Sequence, residues 1–280
     1  MKTSIHGLVL DEERALYHLQ DALVSECTFA GEADGESALK EARNIRVEKC
    51  DFRLRYPLWH ADSFTLSDSR MTDTCRAAVW YARNGRISEC SLDGIKAFRE
   101  CDELALSGCT IHSPELGWRC RGISLDQCDV TSEYFLFESR DISIQELSLH
   151  GKYSFQYTEN VTVRHSVLNT KDAFWHAKNV TVEDSVVQGE YLGWYSDSLT
   201  LIRCRINGTQ PFCYCRNLKL IDCTMENTDL AFEYSDVEAD ITGTVLSVKN
   251  PRSGRITADG YGEILREDAV YDCSCQILTR

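Results

Sequence analysis

The chain has little that would interrupt it. Its 280 residues hold only four prolines, and no proline-, glycine- or serine-rich tract marks a linker between domains. No run of about 18 apolar residues is present, which excludes a membrane-spanning helix. The amino terminus, MKTSIHGLVLDEERALYHL, lacks the apolar segment and small-residue cleavage site of a secretory leader. A cytoplasmic location is therefore expected. No block of basic residues is found and the net charge is −14, so neither nucleic acid nor an anionic membrane is an expected partner. Cysteine is the one residue in unusual supply. Fourteen in a chain this long, with no export signal, read as reduced thiols rather than a disulfide framework.

What the sequence does have is a repeat. DAFWHAKNVTVEDS is followed 19 residues later by YLGWYSDSLTLIRC, and 19 later again by QPFCYCRNLKLIDC. Aligned on this period, an opening turn column contains Asp21, Asn44, Ser63, Asn84, Asp141, Asn160, Asn179, Ser198 and Asn217. Two apolar columns follow, two residues apart, as in Ile45 and Val47, Leu104 and Leu106, or Val180 and Val182. That alternation marks short strands with one buried face. A mostly small or thiol column comes next (Cys27, Cys50, Ser69, Cys90, Cys109, Cys128, Leu147, Ser166, Ser185, Cys204, Cys223), then one more apolar position. A straight ladder of thiols cannot surround a metal tetrahedrally, so these cysteines read as small core fillers, and no metal or cofactor is called for.

A unit this small cannot bury its own apolar face. Stacked copies can, each coil bonding to the next as a parallel strand. The predicted fold is all-β: a right-handed parallel β-helix of about 12 coils at ~4.8 Å per step. It forms one domain over 1–280, with an amino-terminal cap in 1–30, regular coils in 31–245 and irregular coils in 246–280.

The segments NVTVEDS, NLKLIDC and NIRVEKC resemble the coil signature of the pectin-lyase-like superfold. More narrowly, DGESALKEARNI, RYPLWHADS, GKYSFQY, TKDAFWHAKNVTVEDS, GEYLGWYSDSLTLI and GTQPFCY are similar to an uncharacterised bacterial β-helix family, a domain of unknown function. The narrow resemblance implies the fold over nearly the whole chain and no activity. The wider one implies polysaccharide lyases and glycoside hydrolases, but their paired-aspartate and glycine-histidine-glycine motifs have no match here, so no catalytic residue carries over.

Candidate function lies on a predicted third strand in each coil. Its central column reads Lys40, Trp59, Trp80, Arg99, Trp118, Phe137, Gln156, Trp175, Trp194, Cys213 and Phe232. Alternation places that column inside and the next one outside: Glu41, His60, Tyr81, Glu100, Arg119, Glu138, Tyr157, His176, Tyr195, Tyr214 and Glu233. Lys40, Arg99 and Gln156 conflict with this; either they pair internally or the strand bends and exposes both columns.

Tyrosines, histidines and carboxylates along one face suit a sugar chain, whose C–H surfaces stack on rings and whose hydroxyls need polar partners. His60, Tyr81, Tyr157, Tyr195, Tyr214 and Glu233 are the expected substrate contacts. Glu100 and Glu138 flank Arg119 at roughly 9–10 Å, near the spacing of an inverting glycosidase pair, and with Asp172 and His176 make the candidate catalytic set. The competing reading of Glu100–Arg119–Glu138 is a plain salt ladder, and that of the whole face an aromatic ladder on a non-catalytic scaffold.

Overall fold

A computed structural model describes residues 3–280. It is all-β, with no helix among the described residues and hence none long and apolar enough to cross a membrane. The chain divides into two compact units, the first ending at Asp141 and the second running Ile142–Arg280.

Each unit is a stack of coils joined as parallel strands. In the first, Arg43–Glu48, Asp62–Ser67, Arg83–Ser88, Asp102–Ser107 and Arg121–Asp126 follow one another in register. Ile45 pairs with Phe64, Phe64 with Gly85, and Leu104 with Ile123. In the second, Glu159–Arg164, Lys178–Glu183 and Asp197–Ile202 pair Val161 with Val180 and Val180 with Leu199. The two predicted apolar columns are buried along both stacks, Val47, Leu66, Val163, Val182 and Leu199 completely. Registry at the coil period puts identical columns over one another, which is why no single coil needs a core of its own. The coils outrun the 12 or so expected: Thr3–His6 joins the stack of the first unit, and Ser253–Leu265 and Gln276–Thr279 that of the second. Those segments pair in parallel although their sequences lack the repeat.

The thiol column forms a corner. Cys109, Cys204 and Cys223 donate Sγ–H to the carbonyl two residues earlier at 3.3, 3.4 and 3.5 Å. Ser69, Ser166 and Ser185 make the same bond at 2.7 Å. Serine and cysteine alternate here because each is small and carries a donor.

The predicted third strand is corrected. Over most coils it is not extended: every second residue has positive φ, as at Tyr56, Leu58 and His60 (59°, 58°, 55°), or Asp172, Phe174 and His176 (52°, 61°, 54°). Its amides still bond from coil to coil, Leu58 N–H to Ala38 O and His60 N–H to Trp80 O, both at 2.9 Å. A left-handed residue at every second position turns the chain, so side chains fan out instead of alternating between two faces. The innermost column is therefore the residue before the tryptophans: Leu39, Leu58, Val79, Phe98, Leu136, Phe155, Phe174 and Phe212, all buried. The tryptophan column is half-buried and the column after it mostly exposed. The conflict resolves both ways: the segment bends and leaves Lys40 and Arg99 half-buried, while Gln156 is buried and bonded internally.

A second correction concerns register. Cys213 is matched 20 residues on, not 19: Tyr214 N–H donates to Glu233 O at 2.7 Å, and Phe212 stacks on Phe232. The addition lies between Met225, which still pairs with Ile206 at the 19-residue spacing, and Asp229. Phe232 is thus a core residue, Glu233 belongs to the half-buried column, and Tyr234 takes the outer place expected for Glu233.

Candidate functional site

The outer column forms a ring stack. In the second unit, Tyr157, His176, Tyr195 and Tyr214 lie at successive centroid distances of 4.9, 5.0 and 4.8 Å, with planes within 9° of parallel. In the first unit His60 and Tyr81 stack at 4.9 Å. Tyr157 and Tyr195 are 50 % and 46 % exposed. Yet His176 and Tyr195 have rings stacked on both faces, so what they offer solvent is edges, a hydroxyl and ring nitrogens. Stacking a sugar needs an uncovered face. Along the regular coils the predicted substrate contacts therefore act first as a stabilising ladder.

Beneath it runs the half-buried tryptophan ladder, tied by bonds that the sequence did not reveal. Nε1–H of Trp118, Trp175 and Trp194 donates to the carbonyl 16 residues on, at Tyr134, Tyr191 and Gln210, over 3.2, 2.7 and 2.8 Å. Gln156 makes the same bond from Nε2 to Asp172 O at 3.1 Å, so a glutamine holds a tryptophan's place by keeping its donor. Arg99 keeps its place by another route, with its guanidinium 4.6 and 4.9 Å from the Trp80 and Trp118 ring centres and bonded to Glu115 at 3.2 Å.

Of the predicted acid–base set, Arg119 donates Nε–H to Glu138 at 2.6 Å, both exposed, and the carboxylate raises the guanidinium's proton affinity. Glu100 acts on Arg119 only through its field. This is half of the salt ladder, one bond from Arg119 to one of the two carboxylates. Asp172 differs. It is 6 % exposed, and burial pushes its carboxyl above the ordinary range, with Glu190 adding and Lys171 and Lys152 opposing. It is the one carboxyl among the described residues with a resolved upward shift. It makes no hydrogen bond to His176, and Lys171 is engaged by Glu190 at 2.8 Å. Glu233 is held by Lys249 at 3.1 Å, with its side chain 17 % exposed.

The ring stack opens at one place. Between Tyr214 and Tyr234, across the 20-residue step, the planes splay to 39° and the centroids part to 5.8 Å. Tyr271 then meets Tyr234 edge-on at 82° and is 63 % exposed. The loop bearing it is pinned: Val270 N–H donates to Tyr234 Oη at 3.2 Å, Ser274 N–H to Arg252 O at 2.8 Å, and Arg266 to Cys275 O at 2.7 Å. The result is a groove of about 570 Å³ lined by Tyr195, Tyr214, Tyr234 and Tyr271 with Arg216, Arg252, Ser253, Asp272 and Ser274. Only Tyr195 and Tyr214 were foreseen. Tyr234 was hidden by the extra residue, and Arg252 and Tyr271 lie where the repeat is not legible. Among the described residues no three of His, Cys, Asp or Glu converge as a metal would require.

Comparison with solved structures finds the Azotobacter vinelandii mannuronan C-5 epimerase AlgE6 A-module at 10 % identity and a TM-score of 0.36, covering 99 % of this chain and 90 % of that one. A catalytic domain of a GH87 α-1,3-glucanase in complex with nigerose matches at 9 % identity and a TM-score of 0.26, over 99 % of this chain and 63 % of that one. At those values neither carries an argument about chemistry here. No curated protein matches. The coil columns do place the chain: residues 3–278 match the family described as "Protein of unknown function (DUF3737)", and the chain belongs to it.

Proposed function

We propose that the protein binds carbohydrate, and that its binding site is the groove closing the tyrosine stack of the second unit rather than the length of the ladder. The observation carrying this is the splay between Tyr214 and Tyr234, which breaks the parallel stacking beside Tyr271 in a groove that also holds two arginines, two serines and one carboxylate. Aromatic faces with a few convergent polar groups are what a sugar needs. A single lining carboxylate, Asp272, with Arg119 and Glu138 engaged to each other, favours binding over cleavage. The coplanar stacks of the remaining coils favour a scaffold role for those coils. A reducing, cytoplasmic setting fits thiols held by backbone carbonyls in the coil corners.

Screening the purified protein on a glycan array, then titrating hits calorimetrically, tests this. Tyr234→Ala and Tyr271→Ala should each weaken binding about fivefold or more, the loss of one stacked face at ~1 kcal/mol. Tyr81→Ala, in the regular ladder of the first unit, should not. Absence of any glycan binding at millimolar concentration would sink the reading.

A further inference from the structure

The groove holds a guanidinium with no carboxylate bonded to it. Arg216 belongs to a column at the start of the long strands in which opposite charges meet between coils. Arg83 bonds Asp62 at 3.0 Å and Arg121 bonds Asp102 at 2.7 Å, each pair spanning neighbouring coils. Arg252 likewise grips Asp236 with both arms of its fork. Arg216 sits between Asp197 and Asp236 in this column, and neither carboxylate is bonded to it. Asp197 accepts from Ser198 and Asn217 at 3.0 Å each. Asp236 accepts from Arg252 and, at 2.6 Å, from Ser253. Arg216 reaches Asp236 only through its field and makes no ion pair or side-chain hydrogen bond among the described residues. It lines the same groove as Tyr195, Tyr214 and Tyr234.

Other exposed arginines, among them Arg43 and Arg140 of the same column, likewise lack a side-chain partner among the described residues, and Arg216 is distinguished by lining the tyrosine groove. Here Asp236 is gripped by Arg252 and Asp197 accepts from two neutral donors, and the unpaired guanidinium lies beside the splayed tyrosines. A planar, five-donor fork matches a carboxylate in two parallel bonds. We infer that the groove takes an acidic sugar, a hexuronic-acid oligomer, with Arg216 gripping a C6 carboxylate while Tyr214 and Tyr234 carry the ring. Asp272, the one anionic lining group, is left to accept from sugar hydroxyls. This rests on the carbohydrate-binding reading and deepens it.

The test uses matched pairs that differ only at C6: cellotetraose, maltotetraose and mannotetraose, each with its C6-oxidised uronic counterpart, titrated into the full-length protein. At least one oxidised member should bind about tenfold or more tighter than its neutral parent, as a charge-assisted pair implies. That preference should shrink as salt rises from about 50 to 500 mM, since an exposed pair is screened. Arg216→Gln, whose exposed position leaves the core untouched, should melt like the wild type and bring the oxidised member down to its neutral parent. Tyr234→Ala should weaken both members of the pair alike. If neutral members bind as well as oxidised ones, or the preference survives in Arg216→Gln, the acidic-sugar inference fails and the carbohydrate reading stands. If no member of any pair binds, the carbohydrate reading itself fails.

Discussion

Replacing Glu100 in turn by Gly, Asn, Ala and Val sets two local conformations against each other. Glu100 is exposed, has φ of 52° and donates its N–H to Trp118 O at 2.9 Å. Its side chain makes no hydrogen bond, so truncation removes little beyond a weak field on Arg119. Were this segment a strand, as alternation in the sequence suggests, Val would be favoured over Gly by up to about 1 kcal/mol. With the backbone left-handed the order reverses. A side chain with a Cβ costs about 1–2 kcal/mol at such a φ and a β-branched one is worst, while Gly carries no steric cost. Gly gives back about 0.4–1 kcal/mol through the freedom of its unfolded chain. The expected order of stability is therefore Asn and Gly at the top, Ala below, Val last, with Gly ahead of Val by about 0.5–1 kcal/mol. The two conformations differ by up to about 2 kcal/mol and in sign. Urea unfolding followed by circular dichroism resolves this, provided the m-value is unchanged between variants. A Glu100→Val protein as stable as Glu100→Gly, or more so, would refute the left-handed segment.

Three further outcomes are expected. Leu125→Asp or Val182→Asp, each burying an unpaired charge inside a continuous stack, should abolish soluble expression; near-normal melting of either would contradict the register. Asp172→Asn should stabilise the protein at pH 7. The folded carboxyl titrates above its ordinary value, so the fold holds a proton that the unfolded chain releases, and stability falls as pH rises through that window. The advantage of Asn should vanish below about pH 4, and an advantage that grows on acidification would reverse the sign. Alkylation of the native protein at pH 8 should label Cys273, the one half-buried thiol, ahead of the other thirteen. Burial pushes Cys75 up to about 12 and Cys50 up to about 11. All fourteen should label in denaturant, and widespread oxidation there would overturn the cytoplasmic assignment.

The strands were legible because their burial alternates with a period of two and repeats every 19 residues, a signal that Val180, Val182 and their counterparts carry without ambiguity. The third segment was not legible. Left-handed backbone is usually announced by Gly or Asn, but Leu58, Val79, Phe98 and Phe174 occupy it here because coil-to-coil bonds and core burial hold them there. Half-buried tryptophans looked like an inward column for the same reason. The ladder of predicted sugar contacts was found, but not the covering of its ring faces, which depends on stacking distance rather than residue type. The groove was missed because its residues straddle a 20-residue step inside the run of 19-residue coils of the second unit; allowing that step would have put Tyr234 in line with Tyr214.

That extra residue between Met225 and Asp229 behaves like a dislocation in a crystal. His176 and Tyr195 are each covered by the row before and the row after, and a surface covered on both sides has nothing left with which to hold a guest. Slipping one row breaks the translational symmetry, and the mismatch must be absorbed somewhere. Here it is taken up partly in the tilt of one ring against the next, and partly inside, where the Thr228 hydroxyl is left buried without a partner. A repeat protein polished to perfect periodicity would gain order and lose this opening. Removing the added residue should therefore do what consensus design does to such stacks: a more regular stack in the second unit, with Tyr214 and Tyr234 brought parallel.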